Sequence, residues 1–238
     1  MRLYDPLHDS FIGKGEAYPN SYWANTSEEL VESDGELTED LDVDVAIVGA
    51  GYTGLSCALN LAREHGIKSV VLEANQVAWG CSGRNAGFIL PSSGRMAFSQ
   101  MAIKWGEEVM RGIHAEMQAG VANISSLVDE GVDCDIQPQG YLKLAHKPSE
   151  LPKLIAQAEL LKQRFGDDIE VLSKRDVHKH YMDDKNAYGG IRFTSGFGLH
   201  PLKLAKGLHK LAKSNGSKVH TSTPVLNIKE SGQAHSIS

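Results

Sequence analysis

The chain has 238 residues, 41% of them hydrophobic and 23% charged. These ordinary proportions exclude collagen, coiled coil and wholesale disorder, and allow one or two domains with a real core. Twenty-four Lys and Arg against 30 Asp and Glu give a net charge of −6, which argues against nucleic acid as a partner, since phosphate binding wants a basic face.

Residues 1–42 are rich in turn formers and read as an irregular N-terminal extension with one aromatic knot, Tyr18-Pro19-Asn20-Ser21-Tyr22-Trp23. Nine acids and no base fall between Glu28 and Asp44. Such a run is expected to be solvated and loosely ordered. The first residues lack an apolar stretch, so no signal peptide is expected. Cys57, Cys81 and Cys134 are far apart; no disulfide framework or zinc site is suggested, and a reducing, cytoplasmic compartment fits.

Val43–Val48 is a short apolar run that predicts a buried parallel strand. A helix follows over Gly51–His65, with Leu55, Ala58, Leu59 and Ala62 at helical spacing and Gly66 as its stop. Lys68–Glu73 predicts a second strand. Val45–Ala62 is uncharged, but its glycines and polar residues suit strand, turn and helix rather than a membrane span. Residues 74–98 form a Gly- and Ser-rich loop, long enough to expect a function for it.

Ser99–Glu130 predicts a long helical region, with Gly106, Gly112 and Gly120 as candidate breaks. Gly140–His146 alternates like a strand. Ser149 reads as the N-cap of a helix carrying Leu151, Leu154, Ala158, Leu161 and Phe165. Ile169–Leu172 and Gly190–Thr194 predict strands. Pro201 opens another helix at its first position. Along it Lys203, Lys206, Lys210 and Lys213 read as a solvated stripe. His200 reads as a helix-entry residue, and His178 and His180, two apart on a helix, do not face each other and have no third ligand for a metal. Lys218–His220 and Val225–Ile228 predict two last strands, and residues 230–238 an unstructured finish.

Strand, glycine turn, helix, strand and acid occur in that order between Val43 and Glu73. Gly49, Gly51 and Gly54 are spaced G-x-G-x-x-G. The first permits the tight turn, the second lets a pyrophosphate approach the backbone, and the third lets helix and sheet pack closely. The helix N-terminus offers free N–H groups to phosphate. Glu73 ends the second strand, where a carboxylate can accept from ribose hydroxyls. The pattern predicts dinucleotide binding and leaves FAD and NAD open.

The next segment separates them. Val70-Val71-Leu72-Glu73-Ala74 runs into Trp79-Gly80-Cys81-Ser82-Gly83-Arg84-Asn85-Ala86-Gly87-Phe88. With Ser21-Tyr22-Trp23-Ala24, Gly49-Ala50-Gly51-Tyr52-Thr53-Gly54-Leu55 and Gly198-Leu199-His200-Pro201, the chain resembles the FAD-dependent amino-acid oxidases, the D-amino-acid oxidase and sarcosine oxidase group. Within that group the likeness is greatest to gamma-glutamylputrescine oxidoreductases. It implies an α/β fold: a Rossmann-like FAD-binding domain with an inserted α+β substrate lobe. The expected parts are 43–98 with the first βαβ and flavin loop, 99–199 in the substrate lobe, and 200–238 returning to the FAD-binding domain.

The resemblance implies FAD as cofactor, held by Gly49, Gly51, Tyr52, Thr53, Gly54, Glu73, Ala74, Ser82, Gly83, Arg84, Asn85, Ala86, Gly87 and Val225. Arg84 offers a rigid fork of donors suited to phosphate or an anionic flavin. The implied reaction is oxidation of the C–N bond of an amine or amino acid, with a gamma-glutamylputrescine-like substrate favoured. No catalytic residue is assigned. The resemblance also implies that oxidases of this kind run further, so a truncated chain with weak FAD binding and little turnover is expected, and a non-catalytic nucleotide-binding remnant is the alternative reading.

Overall fold

The computed structural model describes residues 11–27, 31–92, 94, 96–232 and 234–238. In chain order its elements are α1 (Tyr22–Asn25), β1 (Ala46–Val48), α2 (Tyr52–His65), β2 (Val70–Leu72), β3 (Phe88–Ile89), α3 (Phe98–Trp105), α4 (Glu107–Asp129) and β4 (Tyr141–Leu144). Then come α5 (Leu151–Phe165), β5 (Ile169–Ser173), α6 (Lys174–His180), β6 (Gly189–Phe193), β7 (Phe197–Gly198), α7 (Pro201–Ser214), β8 (Lys218–His220), β9 (Ile228–Ser231) and β10 (Ala234–Ile237). Among the described residues no helix is long and apolar enough to cross a membrane.

The fold divides into two units. The first holds the chain up to Gly87, Val132–Asp135 and His200–Ser238; the second holds Phe88–Gly131 and Ile136–Leu199. Residues 88–98 group with the second unit, where β3 pairs antiparallel with β7.

In the first unit β1, β2 and β8 form a parallel sheet in that order. All of β2 is buried, as its unbroken Val-Val-Leu run requires. Helix α2 buries Leu55, Ala58 and Leu59 and stops where Gly66 turns left-handed, its N–H bonding back to Ala62 O. Helix α7 packs on α2 and is capped by His200, whose Nδ1 accepts from Lys203 N–H at 3.2 Å.

Several expectations fail in this unit. Strand β1 is not buried: at the edge of the sheet among the described residues, it leaves Val48 54% exposed and Ala46 and Ile47 half-buried. Of the four lysines of α7 only Lys210 is exposed as a solvated stripe requires. Lys206 is 3% exposed and donates to Ser27 O and Oγ, Lys203 pairs with Asp135 at 2.8 Å, and Lys213 pairs with Asp34 at 3.2 Å. The N-terminal segment covers that face at Lys206 and Lys213. Nor is the acidic run loose throughout: residues 38–44 are exposed, but 33–37 are docked on the sheet. Asp34 N–H donates to Val219 O, and its carboxylate accepts from Val219 N–H at 2.7 Å, so the segment closes the outer edge of β8. Backbone donation and Lys213 hold the Asp34 carboxyl below its ordinary range, against the opposing effect of burial. Finally, Val225 is half-buried and in no strand. Ser222 turns the chain at φ 54°, and Pro224 has no N–H for a ladder. The last strand starts instead at Ile228, in an antiparallel β9–β10 hairpin where an unstructured finish was expected.

The second unit is built on the antiparallel sheet β4–β6–β5. Phe98, Met101, Met110, Leu154, Ala158, Leu161, Ile169, Ile191 and Phe193 form its main core. The long helical region breaks only at Gly106, at φ 90°; Gly112 and Gly120 continue within α4. Ser149 does not cap α5. It lies in a 3-10 turn, Pro148–Glu150, and of the two positions that could donate to a cap there, the one three residues on is Pro152, which has no N–H. His114 is buried on α4, with its Nε2 3.1 Å from both Asp167 oxygens and its ring stacked on Phe165 at 3.8 Å.

Candidate functional site

Gly49 leaves β1 at φ 95°, a conformation that favours glycine, with its N–H on Leu72 O at 2.8 Å. A Cβ on Gly54 would lie 2.0 Å from Gly49 O, so α2 can approach the turn this closely only with glycine there. A Cβ on Gly51 would meet Ser82 Oγ at 2.9 Å. That hydroxyl accepts from Tyr52 N–H at 3.0 Å and so takes one of the free donors at the start of α2. Thr53 is exposed on the same first turn.

Glu73 stands at the end of β2, 9% exposed. Its backbone continues the sheet, donating to His220 O and accepting from Thr223 N–H. Its carboxylate accepts from Ala50 N–H at 2.8 Å and from Asn75 N–H at 3.0 Å. The acid therefore clamps the glycine turn directly. Each oxygen takes a single N–H in these bonds, and an ionised carboxylate has about four acceptor sites, so capacity remains for hydroxyl donors. Ala74, next to it, is buried and receives Gly15 N–H on its carbonyl.

The loop after β2 turns through a 3-10 segment, Cys81–Gly83. Gly83 is buried, and a Cβ there would lie 2.3 Å from Ala78 O. Its glycine is required by packing within the loop. Arg84 is exposed, donates from Nε to Gly80 O, and holds its guanidinium 4.7 Å above the Trp79 ring. Asn85 braces the loop, donating to Cys81 O and Ser82 O and accepting from Gly87 N–H. Ala86 is exposed beside it, and buried Gly87 takes φ 72°.

Tyr52 donates to Pro201 O at 2.8 Å, tying the start of α2 to the start of α7. Burial, helped by the nearby Cys134, pushes its phenol up to about 12, against a hydrogen bond from Asn85. Burial, with Asp133 and Asp135, pushes the Cys134 thiol up to about 11. Both stay protonated at neutral pH, so the phenol is a donor and the thiol is inert.

Gly51, Tyr52, Ser82 and Asn85 thus converge at the head of α2, and Glu73 and Ala74 lie beside the glycine turn. Arg84 and Ala86 stand on the exposed rim, and Val225 lies beyond β8. The donor set suits a dinucleotide: a glycine cradle at a helix N-terminus for the pyrophosphate, and an acid with spare acceptor sites for a ribose. Sequence reasoning missed Tyr18, Asn75 and Trp79, which are buried or half-buried around the acid. Their partners lie some sixty residues away, and the local pattern carries no signal for that.

The model of the DAO family, FAD dependent oxidoreductase, matches residues 44–237. The chain belongs to this family. Gamma-glutamylputrescine oxidoreductase of Escherichia coli (strain K12) is 32% identical over 218 residues, covering 91% of this chain and 50% of that protein. Probable oxidoreductase OrdL of Rhizobium meliloti (strain 1021) is 29% identical, covering 80% of this chain and 44% of that protein. The chain spans about half the length of these curated relatives. Among solved structures, glycine oxidase from Geobacillus kaustophilus superposes with a TM-score of 0.65 at 22% identity, over 82% of this chain and 50% of that one. FAD-bound L-alpha-glycerophosphate oxidase from Mycoplasma pneumoniae gives 0.62 at 23%, over 82% and 49%. Both share the family's mixed α/β fold.

Proposed function

We propose that this chain carries the FAD-binding βαβ element of an oxidoreductase that oxidises the C–N bond of an amine or amino acid, with a gamma-glutamylated putrescine as the favoured substrate. The observation that carries the reading is the clamp at the glycine turn. Glu73 is bonded to Ala50 N–H, Gly54 lets α2 close on the Gly49 carbonyl, and Gly51 leaves only the Ser82 hydroxyl against the head of the helix. In this reading Gly49, Gly51, Tyr52, Thr53 and Gly54 hold the pyrophosphate at the head of α2, and Glu73 and Ala74 hold the adenosine ribose. Ser82, Gly83, Arg84, Asn85, Ala86 and Gly87 face the flavin side, and Val225 flanks the adenosine. Bound FAD supplies the hydride acceptor. The residues of this chain bind, orient and keep water out. The E. coli relative supports the substrate, and the three free cysteines support a reducing, cytoplasmic setting.

Anaerobic mixing tests the reading. The chain is loaded with excess FAD, and its oxidised-flavin absorbance is followed after addition of gamma-glutamylputrescine, glycine or sarcosine. Weak but saturable FAD binding is expected, with slow bleaching that is fastest on the gamma-glutamyl amine. No FAD binding overturns the cofactor assignment; binding with faster bleaching on glycine overturns the substrate.

A further inference from the structure

The segment 12–18 is tied along its length to residues 74–79, the strip that leaves β2. Gly15 N–H donates to Ala74 O at 2.8 Å. Glu16 N–H donates to Asn75 Oδ1 at 2.9 Å, and Asn75 Nδ2 returns to Ile12 O at 2.9 Å. Trp79 Nε1 donates to Ala17 O at 2.9 Å, and the Tyr18 hydroxyl donates to Val77 O at 2.7 Å. Gly13 and Gly15 take φ 88° and 66°, which lets the segment reverse along the strip.

We propose that residues 12–18 are a strap that positions the adenosine end of the cofactor site, with Asn75 and Trp79 as its positioning residues, and that an adenosine diphosphate group in that site tightens the strap. This rests on the reading of Gly51 and Glu73 given above.

Asn75 is fully buried, and each of its polar groups has a partner. Its side chain takes both strap bonds, its N–H goes to Glu73 Oε1, and its carbonyl accepts from Ser222 N–H. The other Glu73 oxygen takes Ala50 N–H in the glycine turn. A continuous hydrogen-bond path therefore runs from the strap through Asn75 and Glu73 to the phosphate cradle. Networks of this kind strengthen one another in a low-dielectric interior. A second arm runs from Ala17 through the Trp79 indole to Arg84, whose guanidinium lies over the same ring.

A ribose hydroxyl donating to Glu73 favours the carboxylate orientation that also receives Asn75 and Ala50. Ligand and strap thus prefer the same arrangement of one acid. By linkage, whatever factor the strap adds to ligand affinity, the ligand adds to strap closure.

Hydrogen exchange on the full chain tests this, with ADP as the probe because it carries the ribose and pyrophosphate without the flavin. In the wild type, ADP is expected to slow exchange at the Gly15 and Glu16 amides about fivefold or more. Asn75→Ala is expected to speed their exchange without ligand and to weaken ADP about fivefold. Trp79→Phe keeps a ring under Arg84 but loses the donor to Ala17, and is expected to give the same changes in smaller measure. If Asn75→Ala does not fold, Trp79→Phe and the wild-type protection decide. Unchanged exchange with ADP bound, together with wild-type affinity in the variants, overturns the strap and leaves the cofactor reading standing. A wild type that binds no ADP overturns both.

Discussion

The two units solve burial in different ways. The second rests on a continuous apolar core between α3, α4, α5 and its antiparallel sheet. The first buries charged and amide groups and matches them to partners far along the chain: Glu73 with Ala50, Asn75 with Glu16, Lys206 with Ser27. A buried polar group costs stability unless its bonds are made, so those contacts fix geometry as well as energy. Most buried polar groups lie in the first unit, and on the proposed reading it is that unit whose turn and acid are held in place for a ligand.

Truncating each kind of core sharpens the contrast. Ile191 is fully buried in the second unit. Ile191→Ala should cost about 2–5 kcal/mol, read as a lower urea midpoint, with ADP affinity unchanged. An equal loss of ADP affinity would break the separation.

The first unit should carry the stronger response to acid. His209 on α7 is 1% exposed, and neither ring nitrogen has a hydrogen-bond partner among the described residues. Burial, with Lys213 and Lys210 close by and Asp34 opposing, pushes it down to about 4. The folded form holds it neutral while the unfolded chain protonates near its ordinary 6.5. The stability it contributes is therefore present above pH 6.5 and is lost as pH falls toward 4. At about 1.4 kcal/mol per pKa unit the loss is about 3–4 kcal/mol. His209→Leu should flatten the pH dependence of unfolding over that window; an unchanged slope would contradict the assignment.

Glu73→Ala should weaken ADP about ten- to hundredfold, or about 1.5–3 kcal/mol. It removes the clamp on Ala50 and, on the proposed reading, the ribose acceptor. Wild-type affinity in calorimetry would show that the carboxylate has no part in the site.

How far the sequence carried depended on contact range. The β1–α2–β2 element was legible because its signals are local: glycine spacing, an apolar strand, Gly66 as a stop. The break at Gly106 and the cap by His200 were legible for the same reason. Asn75, Trp79 and the Lys206–Ser27 contact were not, because each side chain's environment comes from a segment some sixty to 180 residues away. The lysines of α7 misled because helical spacing identifies a face but does not say what covers it. The Val225 strand failed on its neighbours, Ser222 and Pro224, which turn the chain before the apolar residues can pair.

The central claim is that the glycine turn and the head of α2 hold a pyrophosphate. The most direct measurement is calorimetric titration of ADP into the wild type and Gly51→Val, with thermal unfolding of both in parallel. The account predicts saturable binding by the wild type, a loss of about a hundredfold or more in the variant as its side chain blocks the phosphates, and closely similar unfolding temperatures. Equal ADP affinity in a folded Gly51→Val protein would contradict it.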